Sequence, residues 1–524
     1  MSEFRFPPLK LMNPSAHEVK VSLEQGTANS SGSRPSKVRL ELADPSRDPS
    51  FANVDPALPG EFNSLQAPND EKFKHPTLGI EYFGRWFLPL SKTDTTAPIP
   101  VNLPLVLIIP ARQKISNDVD HLLYAGLANH LASHGFAVFC LNRQLKFFPN
   151  PDIGEMIEQT VQQLCFKSPN RVFLRDSIVL LGHSSGGGAV ISNAGRVTAP
   201  KAASSKPRTL EAVILLATTA GMPDAHITGL GSKCKAMLGI TVGTDTDLDT
   251  WGQKDQGLPM KSIFRVYDLI PTVEKDMIYV HNQGPYPPQP PDHYFENFFF
   301  VKAYVAAFLH RHLNGNSFYS VFLKHQVRPS TMDDHWVVVH QHQDRPSQSL
   351  LVADFDTVNP QIKTTAGILS AEVVSTFAVD GFSPHQTKAL RIKWDHTTTS
   401  SPNNVELIPP QALSRTGFSY LSFRIGQAVS LLPIAFDVRV FLNKSAVLLS
   451  QVAGLIQPPI WIVFDPPDSR NLTKSIMRSF VIPLTQFAGL GSSITSVTFD
   501  FSINPSTSIA KSTFFLDSVQ FWKV

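Results

Sequence analysis

The 524-residue chain has little of what marks three broad classes of protein. It carries only three cysteines, Cys140, Cys165 and Cys234, an odd number without Cys-x-x-Cys spacing. That excludes a disulfide framework and a zinc ribbon and leaves room for one bridge at most. Charge is scarce too. Charged residues make up 17%, and 46 Lys plus Arg against 43 Asp plus Glu leave a formal net charge of +3. A chain so near neutrality is not built to bind nucleic acid through counterion release. Long apolar runs are also missing. The longest, such as residues 103–111, fall well short of the roughly 18–20 residues that cross a bilayer, so no membrane span is expected. Residues 1–20 hold no apolar core of signal-peptide length. The expectation is a soluble protein, cytoplasmic as the chain stands, or secreted if a leader was removed upstream.

What is present points to packed domains. Hydrophobic residues are 42%, which suits a globular chain rather than a disordered one. The 42 prolines argue against long helical bundles, and the 36 phenylalanines suggest large apolar cores or an aromatic binding surface. At roughly 150 residues per domain, this length predicts two large domains or three small ones.

Residues 1–72, rich in Ser, Pro, Asn, Asp and Gly from residue 24 on, read as a loosely structured lead-in. A strand hairpin is expected over residues 78–88. From there short apolar runs alternate with helical patterns. Strands are expected at 105–109 (LVLII), 136–140, 177–181, 212–217, 238–242 and 277–280, with helices at 119–134, 152–165 and 298–313. This alternation predicts an α/β domain over residues 73–345, with a mostly parallel sheet covered on both faces. After residue 345 helical periodicity gives way to period-2 alternation, clearest in 496–503 (SVTFDFSI) and also at 420–425, 436–442, 460–464 and 514–521. Short strands punctuated by Pro, Ser and Asn predict a β-sandwich over residues 346–524.

Chemistry concentrates in Gly182-His183-Ser184-Ser185-Gly186, which fits G-x-S-x-G between an apolar strand and a helix expected at residues 187–191. That strand–turn–helix context is what a nucleophile elbow requires, with Ser184 as nucleophile. A serine hydroxyl needs a base to take its proton, and in such a site the chain order is Ser, acid, His. After the strand at 238–242 comes Gly243-Thr-Asp-Thr-Asp-Leu-Asp249, where Asp247 is preferred as the acid and Asp249 and Asp245 are the alternatives. His293, in Asp292-His293-Tyr294-Phe295, is the expected base, and His281 is read instead as a histidine that ends a strand. An oxyanion hole needs two backbone N–H donors. Ser185 supplies one, and Arg112 in Pro110-Ala111-Arg112-Gln113 is the choice for the other, with Ala111 or Gln113 as neighbours. Trp251 and Tyr286 are candidates for the walls of an apolar pocket. His335, His340 and His342 lack a third ligand at suitable spacing, so no metal is expected. Asn443 and Asn471 head glycosylation sequons that are read as coincidental.

These motifs carry a resemblance. Residues about 75–315 look like an α/β-hydrolase of the kind that includes dienelactone hydrolases, chlorophyllases and cutinase-like polyester hydrolases. The segments behind it are PARQ at 110–113, YAGLANHLASHGFAV at 124–138, GHSSGGG at 182–188, DTDLD at 245–249 and DHYF at 292–295. The loop at Ala111 departs from the family's usual His-Gly pair. The resemblance implies a serine carboxylic-ester hydrolase working through Ser184, His293 and Asp247, with no cofactor. Its substrates would be small-molecule or polymeric esters. Only about 20 residues separate the strands at 212–217 and 238–242, which leaves no room for a large lid and implies an open site. Peptidase or acyltransferase chemistry on the same triad and a non-catalytic carbohydrate-binding protein are the alternatives. Residues about 350–524 resemble the galactose-binding-like jelly roll of carbohydrate-binding modules, through FSYLSFRIG at 418–426, SFVIPLTQF at 479–487, SITSVTFDFSI at 493–503 and FFLDSVQFW at 514–522. That likeness implies carbohydrate as a partner.

Overall fold

The computed structural model describes residues 3–6, 19–24, 37–41, 55–67, 70–94, 96–111, 124–142, 150–197, 208–218, 220–242, 254–255, 258–270, 273–281, 299–316, 319–325, 337–375, 387–395, 403–427, 436–452, 477–502 and 511–523. The chain divides into two units. One comprises Pro49–Ile278 with Gly284–Met332, and the other Met1–Asp48, Tyr279–Gln283 and Asp333–Val524.

The first unit is α/β. Its main strands are β1 (Phe62–Gln66), β2 (Glu71–Lys74), β3 (Glu81–Ser91), β4 (Leu103–Ile109), β5 (Ala137–Asn142), β6 (Leu174–His183), β7 (Thr209–Leu216), β8 (Ala236–Val242) and β9 (Glu274–His281). Its helices are α1 (Ala125–Ser133), α2 (Asn150–Phe166), α3 (Ser185–Val197), α4 (Asp224–Leu230), α5 (Ile263–Leu269), α6 (Phe299–Asn314) and α7 (Tyr319–His325). The sheet runs β1-β3-β5-β4-β6-β7-β8-β9, with β2 also on β3. Neighbours from β5 through β8 pair parallel, while β1, β2 and β5 pair antiparallel with β3.

The central strands are buried on both faces, which their unbroken apolar runs require. Every residue of β4 is buried, as are Ile178–Leu181 of β6 and Ala212–Leu216 of β7. Helix α1 buries Leu127, Ala128 and Leu131, one stripe at helical spacing. Gly135 (φ 87) follows its end in the left-handed region that glycine adopts without a Cβ penalty. One feature of the strand order positions the site. From β4 the chain steps to β5 on one side, whereas β6, β7, β8 and β9 build outward on the other. A crevice at the carboxyl ends of β4 and β6 is the consequence of such a reversal.

In the second unit, two antiparallel sheets share one core. The first is ordered Ile368–Ser375, Lys388–Asp395, Lys511–Trp522, Tyr420–Gln427, Arg478–Pro483, with Ser349–Ala353 also on Lys511–Trp522. The second is ordered Gln361–Thr364, Asn404–Ile408, Val497–Asp500, Arg439–Leu442, Ser445–Leu448. Leu390, Trp394, Phe423 and Phe514 from the first meet Leu407, Val440 and Phe499 from the second in one buried cluster.

Three expectations change. The lead-in over residues 1–72 is not loose throughout. Glu3–Phe6, Val19–Glu24 and Lys37–Glu41 form a three-stranded antiparallel sheet assigned to the second unit, and β1 and β2 belong to the first. Val19-Lys-Val-Ser-Leu23 and Lys37-Val-Arg-Leu-Glu41 alternate apolar and polar residues, a strand signal that their Ser- and Pro-rich flanks conceal. The hairpin expected over residues 78–88 is instead the pairing of β2 with β3, closed by a turn in which Gly79 has φ 67. The second unit resumes at Asp333 rather than 346, because the strand Val337–Gln343 goes with it. His340 and His342 stand two apart on that strand and are both buried, with His342 Nε2 3.5 Å from Asp344 Oδ1. His335, residues 460–464 and Asn471 lie outside the described residues.

Two buried polar groups bear on stability. The first ties the 55–60 segment to α1 and α6. His130 Nε2–H donates to Pro56 O and His134 Nε2–H to Leu58 O, each at 2.9 Å. His134 Nδ1 is therefore an acceptor, and receives His310 Nε2–H at 3.0 Å. His310 Nδ1 in turn accepts from Asn314 Nδ2 at 3.0 Å. Burial first, and then mutual repulsion of the cationic forms, lowers His130 and His310 to about 3; burial lowers His134 to about 4. All three are neutral in the folded protein at pH 7. In the unfolded chain they protonate near 6.5, so their stabilisation is full above that pH and is lost as pH falls through 4 towards 3. Urea midpoints measured from pH 7.5 to 3.5 are expected to drop below pH 6.5, and to drop less steeply in His310→Gln.

The second group is an ion pair in the sandwich. Arg424 Nη2 lies 2.5 Å from Asp517 Oδ2, with both side chains buried, and Arg424 Nη1 reaches Gln341 Oε1 at 3.4 Å. Removing one partner strands a buried charge. Arg424→Met alone is expected to cost about 3–5 kcal/mol by chemical denaturation, and Arg424→Met with Asp517→Leu to recover part of it.

Candidate active site

Strand β6 ends at His183 and helix α3 begins at Ser185, so Ser184 alone makes the turn between them. Its φ is 51, in the left-handed region that side chains rarely enter. Strain of this kind costs about 1–3 kcal/mol and persists where the surroundings enforce it. Here they do. Ser184 N–H donates to Leu216 O at 2.8 Å, and Ser184 O accepts from Gly187 N–H at 2.9 Å to start the helix.

The glycines around it serve close approach. A Cβ on Gly182 would sit 2.6 Å from Gly187 Cα. One on Gly186 would lie 2.4 and 2.5 Å from the carbonyl oxygens of Ile109 and Pro110. The first turn of α3 is thus pressed onto the end of β4 at a distance no side chain permits. Beyond β7, Ala217 also has positive φ (42), and its N–H donates to Ile240 O at 2.8 Å. That kink carries Thr218 over Gly187, where a Cβ would overlap the threonine side chain. Nothing in the sequence pattern announces Ala217.

A hydrogen-bond chain joins the residue before α1 to the ends of β4 and β6. Tyr124, the buried residue before α1, has its hydroxyl 2.6 Å from His183 Nδ1 and accepts Ala111 N–H at 3.1 Å. His183 as a residue is half-buried, yet burial of its ring lowers its pKa to about 4. Tyr124 and His183 had no assigned role on sequence grounds, although both stand inside the segments that carry the family resemblance.

Of the residues expected to act, Ser184 and Ser185 sit at the strand–helix junction, Ser185 as the first residue of α3. The dipole at a helix N-terminus favours developing negative charge. Ala111 N–H is engaged by Tyr124. Asp245, Asp247, Asp249, Trp251, Tyr286, His293, Arg112 and Gln113 lie outside the described residues. The acid-bearing segment leaves β8 at Val242, and the registers Leu216↔His183 and Leu216↔Ile240 put the ends of β6, β7 and β8 at one edge of the sheet. His281 is the last residue of β9. Between β7 and β8 stand the short strand Ala220–Gly221, which pairs with Leu258–Lys261, and helix α4. No helix among the described residues is long and apolar enough to cross a membrane. Comparison with known proteins finds no matching family model and no matching curated protein.

The strain at Ser184 can be measured apart from any activity. Glycine adopts φ 51 without penalty whereas alanine retains the strain. Ser184→Gly is expected to be more stable than Ser184→Ala by about 1 kcal/mol in urea denaturation. Equal midpoints would mean an unstrained turn.

Proposed function

We propose that the chain is a serine hydrolase of carboxylic esters built on an α/β-hydrolase scaffold. The observation that carries this reading is the left-handed Ser184 between a central parallel strand and a helix N-terminus, at the point where strand order reverses. A strained strand–turn–helix serine is the local structure by which a nucleophile elbow lifts its hydroxyl above the sheet. The acid-bearing segment follows β8, one strand beyond β7, which preserves the chain order Ser, acid, His.

In this mechanism Ser184 Oγ attacks the ester carbonyl while His293 accepts its proton and then passes it to the leaving alkoxide. Asp247 orients the imidazole, with Asp249 and Asp245 as the other acids of that loop. Ser185 N–H and an N–H of the loop after β4, Arg112 by preference, hold the oxyanion. Water, activated by His293, then releases the acid. Protein groups supply every step. Soluble esters and accessible polymer chains are the substrate classes favoured by the short β7–β8 connection, in which seven-residue α4 is the only helix among the described residues.

The second unit is read as a jelly roll on its two antiparallel sheets with one core. Within the segments that carry its likeness to carbohydrate-binding modules, Phe423, Phe499, Phe514 and Phe521 are buried in the sandwich and so do not stack on sugars. Carbohydrate as a partner therefore rests on the resemblance alone.

Wild type is expected to hydrolyse p-nitrophenyl esters and to be labelled by a fluorophosphonate probe. Ser184→Ala is expected to abolish labelling and lower kcat/KM by about 10⁴-fold or more. Peptide and ester substrates assayed together separate an esterase from a peptidase, and transfer to an added alcohol in place of acid release would indicate an acyltransferase. A folded wild type that neither turns over esters nor takes the probe would refute the proposal.

A further inference from the structure

We infer that Thr218 is a positioning residue for Ser184, bracing the strained turn from both of its sides. This role rests on the serine-hydrolase reading and adds to it a residue outside the triad and the oxyanion donors. Leu216 O accepts two donors, Ser184 N–H at 2.8 Å and the Thr218 hydroxyl at 3.3 Å. The same hydroxyl oxygen faces the first turn of α3. A Cβ on Gly187 would overlap Thr218 Oγ1 and lie 2.6 Å from its Cγ2, so the glycine and the threonine are in direct contact. Thr218 is 1% exposed. A buried hydroxyl costs free energy unless it is hydrogen-bonded, so the bond to Leu216 O sets the rotamer that puts Oγ1 against Gly187.

Two hydrogen bonds flank the turn: Ser184 N–H to Leu216 O, and Gly187 N–H to Ser184 O at 2.9 Å. Thr218 bears on the acceptor of the first and on the donor residue of the second. It reaches that place because Ala217 before it takes φ 42 and anchors its own N–H on Ile240 O at 2.8 Å. A left-handed alanine costs stability and gains nothing from its methyl group. What the bend delivers is the threonine side chain, so the strain at Ala217 and the strain at Ser184 belong to one arrangement. If the turn relaxes, the position of Ser184 Oγ moves with it. Errors of about 1 Å in such placement cost up to ~10²-fold in rate.

The test compares wild type, Thr218→Ala and Thr218→Ser in ester hydrolysis, in the rate of fluorophosphonate labelling and in urea midpoints combined with changes at Ser184. Thr218→Ala is expected to lower kcat and the labelling rate together by about tenfold and to leave KM within about threefold. Thr218→Ser, which restores the hydroxyl, is expected to recover most of that loss. A second arm needs no activity. The margin by which the Ser184→Gly midpoint exceeds that of Ser184→Ala is expected to fall by about half or more when Thr218→Ala is added to both, because a turn no longer braced sheds its strain. A merely structural threonine would lower the midpoints equally and keep that margin, and this result overturns the inference. So does a kcat in Thr218→Ala within about threefold of wild type. Should Thr218→Ala fail to fold, Thr218→Val, of similar volume without the hydroxyl, takes its place in both arms. A folded wild type that neither turns over esters nor takes the probe removes the hydrolase reading and this role with it, whereas an active wild type with an unchanged margin removes only the inference.

Discussion

The candidate site depends on one close approach, that of the first turn of α3 to the end of β4. Gly186 lies against the carbonyl oxygens of Ile109 and Pro110, and Gly182 lies against Gly187, at separations that exclude a Cβ. With the helix so close to the strand, the chain has a single residue in which to turn. Ser184 therefore takes a left-handed φ that its side chain disfavours, held by Leu216 O on one side and the new helix on the other. The parallel register that brings His183, Leu216 and Ile240 side by side supplies the rigid edge that resists relaxation. Local strain is kept because relieving it would undo packing that is far more stabilising than the strain is costly.

Neutral histidines recur around this frame in two settings. His130 and His134 are buried and His310 half-buried where their ring nitrogens meet backbone carbonyls and one another, and they fasten the 55–60 segment to α1 and α6. His183 is half-buried, its ring against Tyr124, in the residue before Ser184. At His134 and His310 the imidazole joins groups that a charged ring would serve less well, since one nitrogen must accept while the other donates. The same physics gives acid sensitivity to the fold.

Much of the α/β architecture was legible in the sequence, because fully buried strands and amphipathic helices leave different periods. The runs at 105–109, 177–181 and 212–217 became the cores of β4, β6 and β7, and 152–165 and 298–313 became α2 and α6, with no end moved by more than three residues. The N-terminal strands were missed. Each is short, and turn-forming residues around them dilute a period-2 signal below what a composition-based reading registers. Ser184 was legible from its glycines, and the structure shows what each does: the glycines permit contact, while the serine itself carries the strained φ.

By itself, the sequence determined the elements and the chemistry on offer: the order of apolar strands, G-x-S-x-G at a strand's end, and acids and a histidine further along in the order a triad needs. Those are local properties, written in hydrophobic period and residue type. Only the tertiary structure decided which strand lies beside which, and so that the ends of β4, β6 and β7 converge. It also decided that Ala217 bends, and that a tyrosine 60 positions before Ser184 reaches the histidine beside it. Such contacts join residues far apart in the chain through a few hydrogen bonds and a few excluded methyl groups, and no period or composition records them.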